Sequence, residues 1–167
     1  MKLIIKALLA VFVVFILLRS CGPFLRGPNP LLGQLAPDFT LLTLSGRSES
    51  MNSVRAGQPA ILFFWTTWCP HCRSQLAALN GQRADIEGQG IKVILVDVGE
   101  DSRKVKAYVD SENISYDSFL DKDGIVSEKY NIIGFPTFFL LSREGRVLSE
   151  EHALLPDYKE VLLEPGP

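Results

Sequence analysis

Histidine and cysteine are scarce, with two of the first and three of the second in 167 residues. That scarcity argues against a metal centre. Zinc takes four ligands, often from two paired motifs, whereas this chain has one Cys-x-x-Cys pair and His152 as the only histidine outside it. Three cysteines permit at most one intramolecular bridge. A bridge across only two intervening residues closes almost no loop and removes little denatured-state entropy, so it would be a poor structural staple. Haem attachment needs a histidine directly after the pair, and residue 73 is Arg. A peroxiredoxin-type Pro-x-x-x-Thr-x-x-Cys pattern fails at its first position, because Thr66 and Cys69 are correctly spaced but residue 62 is Leu. A basic block is also missing and the net charge is −2, which argues against a nucleic-acid partner. No internal repeat or low-complexity tract occurs.

Between Ala7 and Leu18 there is no polar side chain at all. The first 26 residues carry Lys2, Lys6, Arg19 and Arg26 and no acid, while the remainder carries 13 basic and 19 acidic side chains. A basic apolar leader thus precedes an acidic body. Counted from Leu3, sixteen residues at about 1.5 Å each span roughly 24 Å, short of a hydrocarbon core about 30 Å thick. Bilayer thinning and snorkelling basic ends can cover the gap. Residues 1–21 therefore read as an uncleaved signal anchor. The alternative is a lipoprotein signal ending at a lipidated Cys21, against which Arg19 counts. Either would hold the body outside the cytoplasm. Residues 22–36, rich in Pro and Gly, read as a semi-extended linker, and residues 37–167 as one domain. Apolar residues make up 47% of the chain, enough for a core of ordinary size.

The body alternates strands and helices. Phe39 to Leu44 and the segment after Ser45-Gly46 predict a hairpin followed by a short helical turn. Ala60 to Trp65, AILFFW, has no polar alternation and fits a strand buried on both faces. Pro70 suits a first helical turn. Leu76, Leu79, Arg83 and Ile86 continue at helical spacing to a stop at Gly88, predicting one helix of about four turns. Ile91 to Val98 is the next strand. Asp101 or Ser102 caps a helix with Val105, Tyr108 and Val109 on one face. A short helix over Val126 to Tyr130, a strand Thr137 to Ser142, a hairpin strand through RVLSEE and a helix Asp157 to Leu163 complete the order. Such alternation with a closing hairpin predicts an α/β domain with a central mixed sheet flanked by helices.

The redox reading of WTTWCPHC has a mechanism. Cys69 stands between a buried strand and a helix start, where unpaired N–H groups favour a thiolate. Cys72, one turn on, is placed to attack a mixed disulfide formed on Cys69. Cys-x-x-C in a βαβ setting is the thioredoxin-like signature. FFWTTWCPHC resembles the thioredoxin active-site strand and loop. GFPTFFL, Gly134 to Leu140, resembles that fold's cis-proline loop. The leader, APDFTLLTLSG and LDKDGIVSEKYNIIGFPTFFLLSREGRV are similar to the membrane-tethered TlpA/ResA branch.

The resemblance implies a thioredoxin fold and a protein thiol–disulfide oxidoreductase with catalytic Cys69 and Cys72. It implies Pro136 as a cis-proline pairing with a substrate segment. Trp68 is expected on the substrate-facing surface, and Phe135 either as an apolar lip for a substrate chain or in the core. No cofactor is implied. The expected partners are protein thiols or disulfides, apocytochrome c among them, and a membrane redox protein, with the chain itself a monomer.

Two absences set this chain apart from those relatives. Phe63 stands where thioredoxins carry a buried acid, and Gln75 where many TlpA/ResA relatives carry a glutamate. Pro70-His71 resembles oxidising DsbA-type enzymes instead. His71, with no carboxylate opposing it, should favour the Cys69 thiolate and make the disulfide more oxidising. A DsbA-like oxidant is therefore the alternative to a reductase. A thioredoxin-like binding module or metallochaperone is the second alternative. Trp65 is expected in the core, His152 on the surface, and Lys92 and the Arg103, Lys104, Lys106 group on solvated faces.

Overall fold

The computed structural model describes residues 27–164. The anticipated anchor and Cys21 lie outside them. Among the described residues no helix is long and apolar enough to cross a membrane.

The elements in chain order are β1 (Thr40–Leu42), β2 (Ser48–Ser50), α1 (Met51–Arg55), β3 (Ala60–Trp65), α2 (Pro70–Gly81), α3 (Arg83–Gly88), β4 (Lys92–Val98), α4 (Ser102–Ser111), β5 (Ser118–Asp121), α5 (Ile125–Lys129), β6 (Thr137–Leu141), β7 (Val147–Glu151) and α6 (Tyr158–Leu163). Five strands form one sheet in the order β5-β4-β3-β6-β7. β3 runs parallel to β4, and β4 parallel to β5, while β6 and β7 are antiparallel to their neighbours. This is the mixed sheet of the thioredoxin fold. The β1–β2 hairpin stands at the β5 edge, joined to it through a bridge between Thr43 and Phe119.

All six residues of β3 are buried, because helices cover both faces of the sheet. Alternate side chains go to opposite faces. Ile61, Phe63 and Trp65 join Cys72, Leu76 and Leu79 of α2 and Val105 of α4. Ala60, Leu62 and Phe64 join Met51 of α1 and Val126 and Tyr130 at α5. A continuous apolar strand is what two covered faces require.

Three expectations need correction. The single long helix is two, α2 and α3, divided at Gln82. Gly81, a weak helix former, ends the first, and Ile86 still reaches the same cluster from the second. Arg83, expected on the apolar face, instead lies over the Tyr116 ring and donates to the Ser115 carbonyl. The strand β5 is an addition. Its four residues, SFLD, include two polar side chains, and both are buried for local reasons. Ser118 Oγ accepts from the Trp65 indole at 3.2 Å, and Asp121 accepts from the Val126 and Ser127 amides at the start of α5.

The second half of the Pro/Gly segment is held to the body. Gly33 N–H donates to the Val147 carbonyl, Ala36 N–H to the Gly145 carbonyl, and the Asn29 side chain to the Tyr130 carbonyl.

Candidate active site

The chemistry-bearing residues gather where β3 ends and α2 begins. Cys69 occupies the N-cap of α2 with extended backbone, and its sulfur accepts from the Cys72 amide at 3.2 Å. It stands where other helices place a capping oxygen. Pro70 follows in the first turn, where a missing N–H costs nothing. His71 and Trp68 are exposed.

The two sulfurs differ in access. Cys69 is 5% exposed and Cys72 fully buried, so only Cys69 can be approached from outside. Burial pushes the Cys72 thiol up to about 12, helped by the neighbouring Cys69 and opposed by a backbone contact from Thr66. An outer sulfur for attack and an inner one that keeps its proton suit two-step exchange.

The Phe135-Pro136 peptide bond is cis. The Phe135 carbonyl lies 3.6 Å from Cys69 Sγ, within reach of its S–H. Phe135 is half-buried, and its ring meets Trp68 edge to face at 6.1 Å. Trp68 is 61% and Ile133 64% exposed. Apolar surface is thus presented next to the accessible sulfur.

Phe63 and Phe138 stack across β3 and β6 at 4.2 Å, nearly parallel, which fills the position of the thioredoxin acid with hydrocarbon. Gln75 accepts from the Leu154 amide and ties α2 to the segment after β7.

Sequence reasoning missed the part played here by four residues. His152 is exposed, yet its Nδ1 lies 3.0 Å from the Pro136 carbonyl, bracing the cis-proline loop. Glu100, in the loop just after β4, is buried and accepts from the Thr67 amide and from Thr67 Oγ1. Lys104, expected on a solvated face, bonds Glu100 at 2.6 Å. Asp97, 1% exposed, is the lateral partner of Trp65. The available signal was VDVGE itself: an acid inside an apolar run at the carboxyl end of a parallel strand, where sites in open α/β sheets lie.

The AhpC/TSA family profile matches residues 32–149, most of the chain. The chain belongs to the AhpC/TSA family. The relatives that match most of the chain include thiol–disulfide oxidoreductases. Thiol-disulfide oxidoreductase ResA of Bacillus thuringiensis subsp. konkukian is 28% identical over 148 residues, covering 83% of this chain and 85% of the relative. Thioredoxin-like protein YneN of Bacillus subtilis is 30% identical over 131 residues, covering 77% and 75%. A secreted Mycobacterium tuberculosis disulfide oxidoreductase homologous to E. coli DsbE superposes with a TM-score of 0.62 at 26% identity, over 74% of this chain and 90% of that one. The protein is accordingly a thioredoxin-fold, ResA/DsbE-like thiol–disulfide oxidoreductase of this family, with a redox-active cysteine pair.

Proposed function

We propose that this oxidoreductase works on the outer face of a membrane, tethered by residues 1–21, and exchanges its Cys69–Cys72 pair with protein substrates and a membrane redox partner. Apocytochrome c is a candidate substrate. One observation carries the reading: the reachable sulfur of Cys69 sits between the Trp68–Phe135 aromatic pair and the cis-Pro136 loop, while Cys72 is sealed beneath it. A polypeptide laid along that loop would deliver its cysteine to Cys69 and not to Cys72. Cys69 attacks, and Cys72 then attacks Cys69 to release the reduced product. Replacing Cys72 with Ser tests this. The variant should accumulate mixed disulfides through Cys69 when expressed with its leader, and the double variant lacking Cys69 should accumulate none. Failure to trap anything would favour a binding module or metal carrier instead.

A second reading, a DsbA-like oxidant, is favoured by His71 in CPHC and by hydrocarbon at Phe63 and an uncharged amide at Gln75. The reduction potential of the pair separates the two. A value near −270 mV, as in thioredoxin, supports a reductase, and one near −120 mV, as in DsbA, supports an oxidant.

A further inference from the structure

Two carboxyl side chains face each other beside the redox site without a cation between them. Asp97 lies on β4 in the alternation of Val93 and Leu95, so it points to the face of the sheet that holds Cys72. Neither of its oxygens has a well-formed hydrogen bond, and the Glu100 backbone amide is the one N–H that comes near it. The group against it is the Glu100 carboxyl, and two carboxyls in contact bond only through a proton. The Lys104 ammonium and both Thr67 donors sit on Glu100. Burial pushes Glu100 up, but those contacts outweigh it and hold Glu100 below the ordinary carboxylate range. Burial pushes Asp97 up to about 8, and the adjacent Glu100 adds to this. The pair thus carries one proton near neutrality, on Asp97.

The link to the sulfur chemistry is the loop Trp65-Thr66-Thr67. Trp65 is the lateral strand partner of Asp97. Thr66 lends its backbone to Cys72, and the next amide, Thr67, is held by Glu100. We propose that Asp97 is a positioning residue of the redox site: sharing a proton with Glu100, it keeps Glu100 on the Thr66–Thr67 loop and keeps a second negative charge away from Cys72.

This inference rests on the exchange reaction proposed above. In the half of that exchange that returns the pair to its dithiol form, an incoming substrate or partner thiolate attacks Cys69, a sulfur–sulfur bond forms to Cys69, and the Cys69–Cys72 bond breaks. The substrate sulfur is oxidised, and Cys72 leaves with the electron pair as a thiolate, which then takes a proton from water. A negative Asp97 on the same face raises the energy of that departing anion. The other titratable groups on this side are Glu100 and Lys104, together with Tyr108 on α4, whose ring packs on Trp65 and whose charge couples to Cys72, Arg73 and Glu112.

The test compares wild type with Asp97→Asn, which keeps a donor toward Glu100 and cannot ionise. The rate at which dithiothreitol reduces the Cys69–Cys72 disulfide is followed from pH 6 to pH 9.5. Taking the ratio of the two proteins cancels the ionisation of the reductant. The ratio should be near one at pH 6–7, and wild type should fall behind by on the order of tenfold above pH 8. A ratio that is flat across the range, or an Asp97→Asn protein that is folded but inactive at neutral pH, overturns the proposal. Wild type alone gives an independent check, needed if the variant does not fold. In the disulfide form, where neither cysteine titrates, the Thr67 amide resonance should move with a midpoint near 8, and a Thr67 amide indifferent to pH overturns the proposal equally. A wild-type disulfide that dithiothreitol cannot exchange would instead defeat the oxidoreductase reading itself.

Discussion

The central strand β3 has two unlike flanks. Toward β6 it meets hydrocarbon: Phe63 stacks on Phe138, and beyond the strand end Trp68 and Phe135 continue the aromatic surface to the solvent. Toward β4 it ends in charge: Trp65 lies beside Asp97, and Thr67 is clamped by Glu100, itself paired with Lys104. Both flanks adjoin the same two cysteines. The β6 side offers area and shape, suited to holding a chain. The β4 side offers fixed donors and a shared proton, suited to governing the charge on sulfur. With Phe63 filling the centre of β3, the carboxyl groups beside the site stand one strand over, on β4 and the loop that follows it.

The severest way to break that division is to put a carboxyl back on the apolar flank. Phe63→Asp removes a fully buried ring and leaves an unpaired acid against Phe138. Losing a buried phenylalanine alone costs about 3–5 kcal/mol, and burial of an unpartnered carboxyl adds to it. Urea denaturation should show an unfolding free energy lowered by at least that amount, seen as a lower midpoint at unchanged slope. A variant as stable as wild type would mean that the flank tolerates charge and that the contrast is false.

A smaller effect, of a few kcal/mol, is expected from pH on the polar flank. The folded-state value of Asp97, about 8, lies above its ordinary value of 3.8. Between those values the folded protein binds more protons than the unfolded chain, so stability declines as pH rises. The contribution of Asp97 is full below about pH 4 and is lost by about pH 8. Glu100 works in the opposite sense, since its depressed value adds stability that is lost as pH falls through the acid range. Wild type should therefore lose stability from pH 5 to pH 8 in urea titrations, and Asp97→Asn should show a flatter profile. Parallel profiles would remove Asp97 from the account.

The unequal legibility of the two flanks has a physical cause. Strand β3, the first turn at Pro70 and the cis-proline loop are written in contiguous residues, so AILFFW, CPHC and GFPT announce them locally. The β4 flank depends on cross-strand register. Asp97 matters because it pairs with Trp65, Glu100 because its side chain returns to Thr67, thirty-three residues earlier, and neither relation appears as a periodicity. The same holds for β5, whose two buried polar residues hid a strand that Trp65 and α5 satisfy from a distance. His152 bonds the Pro136 carbonyl across sixteen residues and keeps an exposed ring, so its polar setting in EEHALL predicted a surface residue and concealed the contact.

The gentlest probe falls on the apolar flank, at its outer end. Trp68 is mostly solvent-exposed, and truncating an exposed side chain changes stability by only about 0.5 kcal/mol or less. Yet an exposed tryptophan standing edge-on to Phe135 beside a reactive sulfur is an arrangement that partner chains use as an anchor, and such anchors are typically worth more than 1 kcal/mol when removed. Trp68→Ala should therefore leave the unfolding midpoint and the reduction of the disulfide by dithiothreitol unchanged. It should lower kcat/KM with a cysteine-containing polypeptide roughly tenfold, mainly through KM. The small thiol and the polypeptide meet the same two sulfurs, so any difference between them measures what the aromatic surface adds. If both substrates slow equally, Trp68 acts on the sulfurs rather than on the chain that approaches them, and the β6 flank loses its claim to be the binding side.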